Sequence, residues 1–442
     1  MENCNSFPSK IYRSEILPIE GASLAVQAGA NATIALDATE RSPLNGEQTI
    51  KCFAKSGELN RYTIDFGAPQ TLYPNVGFAI KFEDALADGN CYPVIYMGVD
   101  ADHYRTQSPV LSVLSGNLTG SGVWHYYPPL FSTLVKTGSP SDWATTENNQ
   151  GYDISRIRLM FSSPNADVTF YLGAVVTTNE PKAKLIITND GPFDSTVNEL
   201  LPRLKRNGWK AVVASWSDAD TAPERAKLDT LYKAGWDTVS HSWGHENFTA
   251  LDAPALIKSL AEYKVWAAEY GYNRGSDYMC CPFRVIGLTS LDGADIMDPF
   301  IKMSRGRGYR SIYGATGIKS SVFEVYNPSI PFDMLNLAGY DVTTASNTDY
   351  SVANGMREKL AETVLAKGIM VSLSHEFVET PGKPTENSIT WLADWIADIK
   401  GYVDAGLLDV ITFTEWDQDL HGSVPRPFIN RGIGSTNVQG KI

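Results

Sequence analysis

The stretch "KLIITNDGPFD", Lys184 to Asp194, decides how the second half of the chain is read. A short apolar run, Leu185 to Ile187, stops on Asn189-Asp190-Gly191-Pro192. An apolar run of that length, bounded by a turn signal, reads as a buried strand. Its last residues therefore reach a surface, and they bring an amide and a carboxylate there side by side.

Downstream the same unit recurs. "STVNELLPRLKRNG" sets Val197, Leu200, Leu201 and Leu204 on a helical face, and Thr196 with Glu199 has the spacing of a capping box. Pro202 predicts a kink or a later helix start. Next come the strand "WKAVVAS", the helix "PERAKLDTLYKAG", the strand "WDTVSH" and the helix "APALIKSLAEYKVWAAEYG". "REKLAETVLAKG", "IMVSLSH", "SITWLADWIADIKGYVDAG" and the strand "VITFTEW" follow. Repeated strand–helix units predict a parallel sheet with helices outside, closed as an α/β barrel.

Upstream of about residue 180 the pattern is different. "ATIALDA", "YTIDFG", "VGFAIKF", "YPVIYMGV", "IRLMF" and "VTFYLGAVV" read as strands. In "RIRLMF", Ile157, Leu159 and Phe161 share one face while Arg156 and Arg158 take the other. Short strands separated by turns predict an all-β sandwich, jelly-roll-like. The expected organisation is multidomain: an N-terminal arm at 1–20, the sandwich at 21–180, the α/β barrel at 181–420 and a Gly/Asn-rich tail at 421–442.

Composition narrows the function. The chain has 442 residues, too many for one ordinary domain of about 150. Its formal net charge of −13 opposes nucleic acid and anionic membranes as partners. No apolar run is long enough to span a membrane, and the start shows no secretory signal pattern. The five cysteines form no spaced framework, and Cys280-Cys281 reads as two small apolar residues on a buried strand.

Three of the six histidines, His241, His245 and His375, fall at or just after strand ends in the second half. Active sites of such barrels form on that carboxyl-end face. "HSWGH", His241 to His245, can aim two imidazoles at one ion. An isolated pair is equally well read as one core and one surface histidine. Asp190, at a neighbouring strand end, favours the ligand reading. A carboxylate and two neutral imidazoles leave a coordination position open, as in catalytic zinc sites. Nickel, cobalt and iron also accept such ligands.

"TNDGP", "HSWGH" and "SLSH" resemble the first, second and fifth motifs of polysaccharide deacetylases of the NodB-homology type. The resemblance spans about residues 182 to 416 and agrees in order, spacing and strand–helix pattern. It implies a distorted (β/α) barrel holding one divalent ion, zinc first, on Asp190, His241 and His245. It implies removal of acetyl groups from an acetylated polysaccharide, by metal-activated water, with His375 as general acid.

The chain departs from the family pattern. The family's base is the first Asp of its first motif, and Asn189 stands there; a neutral amide accepts no proton. Asp194 is the nearest replacement carboxylate and Glu376 a second. The third motif's Arg position falls on "MCCPFR", with Pro282 and Phe283 retained and Arg284 following; Asp349 in "NTDY" is a loose fourth match. Trp243, Pro282, Phe283, Arg284 and Asp349 are the expected substrate-binding residues. The alternative reading is a non-catalytic carbohydrate-binding or virion structural protein on a degenerate deacetylase fold. The sandwich is expected to bind polysaccharide or to mediate homo-oligomerisation. Action outside the cell or on a virion, such as a phage tail spike working on host capsule, fits this layout, with the cytoplasm left open.

Overall fold

The computed structural model describes residues 14–16, 19–42, 47–72, 75–83, 94–98, 104–107, 124–127, 135–137, 152–178 (except 163 and 165), 182–247, 251–282 (except 252 and 281), 311–313, 339–341, 357, 360–361, 363–364 and 367–421 (except 384). Phe283, Arg284, Asp349 and the 421–442 tail beyond His421 lie outside the described residues, as do the arm before Ser14 and the side chains of "VWHYYPPLF".

Among the described residues, the front half contains two six-stranded antiparallel sheets. One centres on Val168–Thr178, flanked by Gln48–Ala54 and Asn75–Phe82. The other centres on Tyr152–Ser162, flanked by Leu59–Leu72 and Val94–Gly98. Period-2 alternation explains why the sheets share a core. Ile157, Leu159 and Phe161 are buried with Tyr62 and Ile64 from one sheet and Ile50, Cys52, Phe170 and Leu172 from the other. The Phe161 and Phe170 ring centroids lie 4.9 Å apart. Burying such a side chain is worth about 1.5–3 kcal/mol.

The second half carries an eight-stranded, all-parallel sheet, a half-barrel that is open among the described residues. Strand Ala183–Asp190 is its middle, and all eight of its residues are buried. It pairs with Val212–Ser215 and Ile369–Ser374, and over its first residues with Leu408–Ile411. Asp237–Ser240, Tyr278–Cys280 and Ser311–Tyr313 extend the sheet on one side, and Gly339–Asp341 on the other. A strand buried on both faces must be apolar throughout, as "KLIIT" nearly is. Even-numbered Ile186 packs inward with Val212, Ala214, Val239, Val371 and Leu373. Odd-numbered Leu185 and Ile187 pack outward against the helices.

Helix Ile389–Asp404 illustrates that outer layer. Ser388 caps it, accepting from Trp391 N at 2.9 Å, a bond worth about 1 kcal/mol. Trp391, Leu392, Trp395, Ile396 and Ile399 form its buried face.

Two local expectations are corrected. Thr196 and Glu199 make no capping box: the Thr196 hydroxyl donates to Asn189 Oδ1, and Glu199 pairs with Arg203. The α-helix starts late, at Leu201, with a π-turn at Thr196–Leu200 ahead of it and Pro202 in its first turn. "FTEW" is not strand. The last strand ends at Ile411 and helix Phe413–His421 begins.

Asp237 supports the far end of the sheet. Its Oδ2 accepts from Thr414 N at 2.8 Å, and Arg274 Nε lies 3.7 Å from Oδ1. Complete burial pushes its carboxyl up to about 6, despite the bond from Thr414 and the nearby Arg274. Between about pH 4 and 6 the folded chain keeps a proton that the unfolded chain has released. Its contribution to stability is therefore present at low pH and lost as pH rises through that window, by about 3 kcal/mol in all. Asp237→Asn keeps an acceptor for Thr414. It is expected to remove this slope, so that its stability relative to wild type rises by about 3 kcal/mol from pH 4 to 8. Urea midpoints of both proteins from pH 4 to 8 measure it; parallel curves would refute it.

Candidate metal and catalytic site

Side-chain parity assembles the site. Counting by two along each inward face carries Ile186 to Asp190, Ala214 to Trp216, Val239 to His241, Tyr278 to Cys280 and Leu373 to His375. Parallel pairing sets Asp190 beside Ala214 and Ser240 beside Met279, so these positions finish at one end of the sheet. That is the carboxyl end, where neighbouring strands leave a crevice.

Asp190 is the hub. Its Oδ2 lies 3.5 Å from His241 Nε2 and 4.0 Å from His375 Nε2. Its Oδ1 accepts from Cys280 Sγ at 3.3 Å. Asp190, His241 and Cys280 are all buried, and one ligand atom from each lies within 4.8 Å of the others. His241 Nδ1 is 3.1 Å from the Cys280 carbonyl, which can only accept. The proton therefore sits on Nδ1, and the Nε2 lone pair faces Asp190. Burial first, then His245, holds the His241 imidazole well below its ordinary range. His241 is thus neutral at physiological pH, as a ligand must be. A carboxylate, an imidazole and a thiol converging in this way fit a divalent ion of the zinc type.

The "HSWGH" loop is held from below. Ser242 and His245 both adopt positive φ, 58° and 53°. For residues with a Cβ this costs energy unless the surroundings impose it. Here the Ser242 hydroxyl accepts from Glu246 N, and Ser259 on helix Ala253–Glu269 binds both Trp243 N and the Glu246 carboxylate. Gly191 has φ 110°, and a Cβ there would meet the Phe193 ring at 2.9 Å and Trp216 at 3.1 Å. Only glycine lets the strand turn beneath those rings.

The expected residues separate. Asp190, His241 and His375 converge. The His245 ring lies 4.8 Å from that of His241, but His245 is not in the three-atom set. Burial lowers its pKa, partly offset by Asp218 and Glu246. Asn189 takes the opposite parity to Asp190 and is fully buried. Its Nδ2 donates to the carbonyls of Ser374 at 3.1 Å and His375 at 2.8 Å, and its Oδ1 accepts from Thr196. It ties two strand ends together. Asp194 is 81% exposed and paired with Lys227 at 2.8 Å, so as a base it would have to leave that partner. Trp243 packs outward on Trp266, with centroids 5.8 Å apart, and Pro282 is buried just past Cys280.

Two residues at the site were not assigned to it from sequence. Trp216 stacks obliquely on both histidines, 5.4 Å from His241 and 5.0 Å from His245. Cys280, read as core filling, touches Asp190.

Residues 177–294 match the family model of polysaccharide deacetylases. The match covers about a quarter of the chain. The matched segment contains Asp190, Trp216, His241, His245 and Cys280, while His375 lies beyond it on the same sheet. Similar solved structures include a family 4 carbohydrate esterase from Streptomyces lividans in complex with acetate, 14% identical, with 53% of this chain and 94% of that one covered and a TM-score of 0.34. A chitin deacetylase from Colletotrichum lindemuthianum is 14% identical, with 55% and 90% covered and a TM-score of 0.35. A family 4 acetyl xylan esterase from Clostridium thermocellum, in complex with a cobalt ion, is 13% identical, with 53% and 89% covered and a TM-score of 0.32. No curated protein is matched. Among the described residues, no helix is long and apolar enough to cross a membrane.

Proposed function

We propose that this chain is a metal-dependent hydrolase that removes acetyl groups from an acetylated polysaccharide. The observation that carries this is the convergence of Asp190, His241 and Cys280, with His375 beside them, on one sheet end of a deacetylase segment. A bound divalent ion, zinc by preference, supplies Lewis acidity toward the acetyl carbonyl and toward water. Asp190 and His241 hold it, and the Cys280 carbonyl keeps His241 in the ligand tautomer. Trp216 walls the site and gives a sugar ring an apolar surface. His375, 25% exposed, takes the water's proton at Nε2 and returns it to the departing amine or hydroxyl. Asn189 and Asp194 are engaged elsewhere and take no part in that transfer.

The front sheets form a jelly-roll-like sandwich over residues 21–180 that binds the glycan or joins copies of the chain. The deacetylase domain runs over 181–420, and the chain works outside the cell or on a virion. The surplus of negative charge is consistent with an uncharged glycan partner.

A second reading is favoured by Asn189. With an amide at the base position, the site binds acetylated glycan without turnover. One experiment separates the two. Protein stripped with chelator and reloaded with zinc, cobalt or nickel is incubated with acetylated chitin, peptidoglycan, xylan and capsular fragments. The enzyme reading expects acetate release that chelator removes and metal restores. Glycan binding by metal-loaded protein with no acetate from any substrate would leave the binding reading in its place.

A further inference from the structure

Cys280 comes from a different strand end from those that supply Asp190, His241 and His375. It ends the short strand Tyr278–Cys280 and is fully buried. It meets the site twice: its carbonyl is 3.1 Å from His241 Nδ1, and its sulfur is 3.3 Å from Asp190 Oδ1. These spacings have a meaning in coordination chemistry. Bond lengths of about 2.0–2.3 Å at tetrahedral angles put neighbouring ligand atoms about 3.3–3.8 Å apart. The Cys280 Sγ–Asp190 Oδ1 and His241 Nε2–Asp190 Oδ2 separations, 3.3 and 3.5 Å, are of that size, each to a different oxygen of the carboxylate, and one ligand atom from each of the three residues lies within 4.8 Å of the others.

Resting on the reading of this site as a metal centre, we propose that Cys280 is itself a ligand, giving an Asp190–His241–Cys280 set in which the thiolate occupies the position expected for His245. The sulfur loses its proton on binding, and the proton goes to solvent. Two consequences follow from charge and softness. The set carries two negative charges, so it neutralises a dication that one carboxylate and two imidazoles would leave with a net positive charge. A thiolate also selects zinc over the harder divalent ions. His245 keeps its place against Trp216, outside the ligand set.

Cobalt(II) provides the test, because a cobalt–thiolate bond gives an intense near-ultraviolet charge-transfer absorption that carboxylate and imidazole ligands do not. The full-length protein is stripped of metal and titrated with cobalt(II), with bound metal counted separately. Wild type is expected to bind one equivalent and show the band. Cys280→Ser, nearly the same size, is expected to lose the band and bind cobalt at least about a hundredfold more weakly. Cys281→Ser and His245→Ala are expected to keep the band. Stoichiometric cobalt binding by wild type without the band would overturn the Cys280 assignment and leave the metal site standing. A band that persists in Cys280→Ser, or vanishes in Cys281→Ser, would overturn it too. No cobalt bound by wild type would remove both proposals together. Circular dichroism of each variant shows whether a lost band reflects a lost fold.

Discussion

His241→Ala is expected to empty the site of metal and to lower acetate release by about a thousandfold or more. The size follows from what the imidazole does. Its Nε2 faces Asp190 Oδ2 at 3.5 Å, and its Nδ1 is fixed by the Cys280 carbonyl. Alanine removes a donor from a small set, and the Lewis acidity lost with the ion is worth several kcal/mol in the transition state. A smaller structural effect accompanies it. The Cys280 carbonyl loses its buried partner and Trp216 loses a ring beneath it, costing about 1–3 kcal/mol. Bound zinc, acetate release and the urea midpoint, measured together, separate the two effects. Loss of metal and turnover in a protein that still unfolds cooperatively is the expected result. Metal content at the wild-type level, with turnover within tenfold, would show that His241 is a packed core histidine and that the site is read wrongly.

What the sequence made legible follows from its periodicities. The strand–helix succession after residue 180 was readable because each strand is short, apolar and bounded by turn residues. The front half was readable as strands because its apolar residues alternate. Capping was misjudged in both directions. Thr196 and Glu199 have the spacing of a capping box, yet Thr196 is claimed by Asn189, seven residues back in sequence. The box that does form is Thr412 with Glu415: Glu415 N donates to Thr412 Oγ1, and Thr412 N donates to the Glu415 carboxylate. It starts a helix where β-branched and aromatic residues suggested more strand. Trp216 carried a signal that went unused, since it stands two residues past Ala214 on the inward face of its strand. Cys280 was harder to foresee. Its partner Asp190 is 90 residues away, and its strand has three residues, too few to fix a parity.

Parity also changes what Asn189→Asp should do. Motif resemblance alone would make this substitution the repair of a missing base and forecast faster turnover. The structure leads to the opposite result. Asn189 Nδ2 is a donor to two carbonyl oxygens, those of Ser374 and His375, inside a fully buried pocket. A carboxylate there would face both oxygens as an acceptor facing acceptors, with no water to separate them. If it ionises, the buried charge is unpaired; if it keeps its proton, one carbonyl still loses its donor. Either way the variant is expected to be destabilised by about 3 kcal/mol or more. Burial and the facing carbonyls raise the new carboxyl's pKa above its unfolded value. The folded variant then holds a proton that the unfolded chain has lost, so its deficit grows as pH rises through that raised pKa. Because Asn189 shares its bonds with the backbone that carries His375, the His375 ring should shift as well. Turnover per folded molecule is therefore expected to fall. Urea midpoints at pH 5 and 8, with acetate release measured on the folded fraction, make the comparison. Wild-type stability with faster release would mean that the side chain turns toward Asp190, and that the buried amide bridge does not hold the strand ends together.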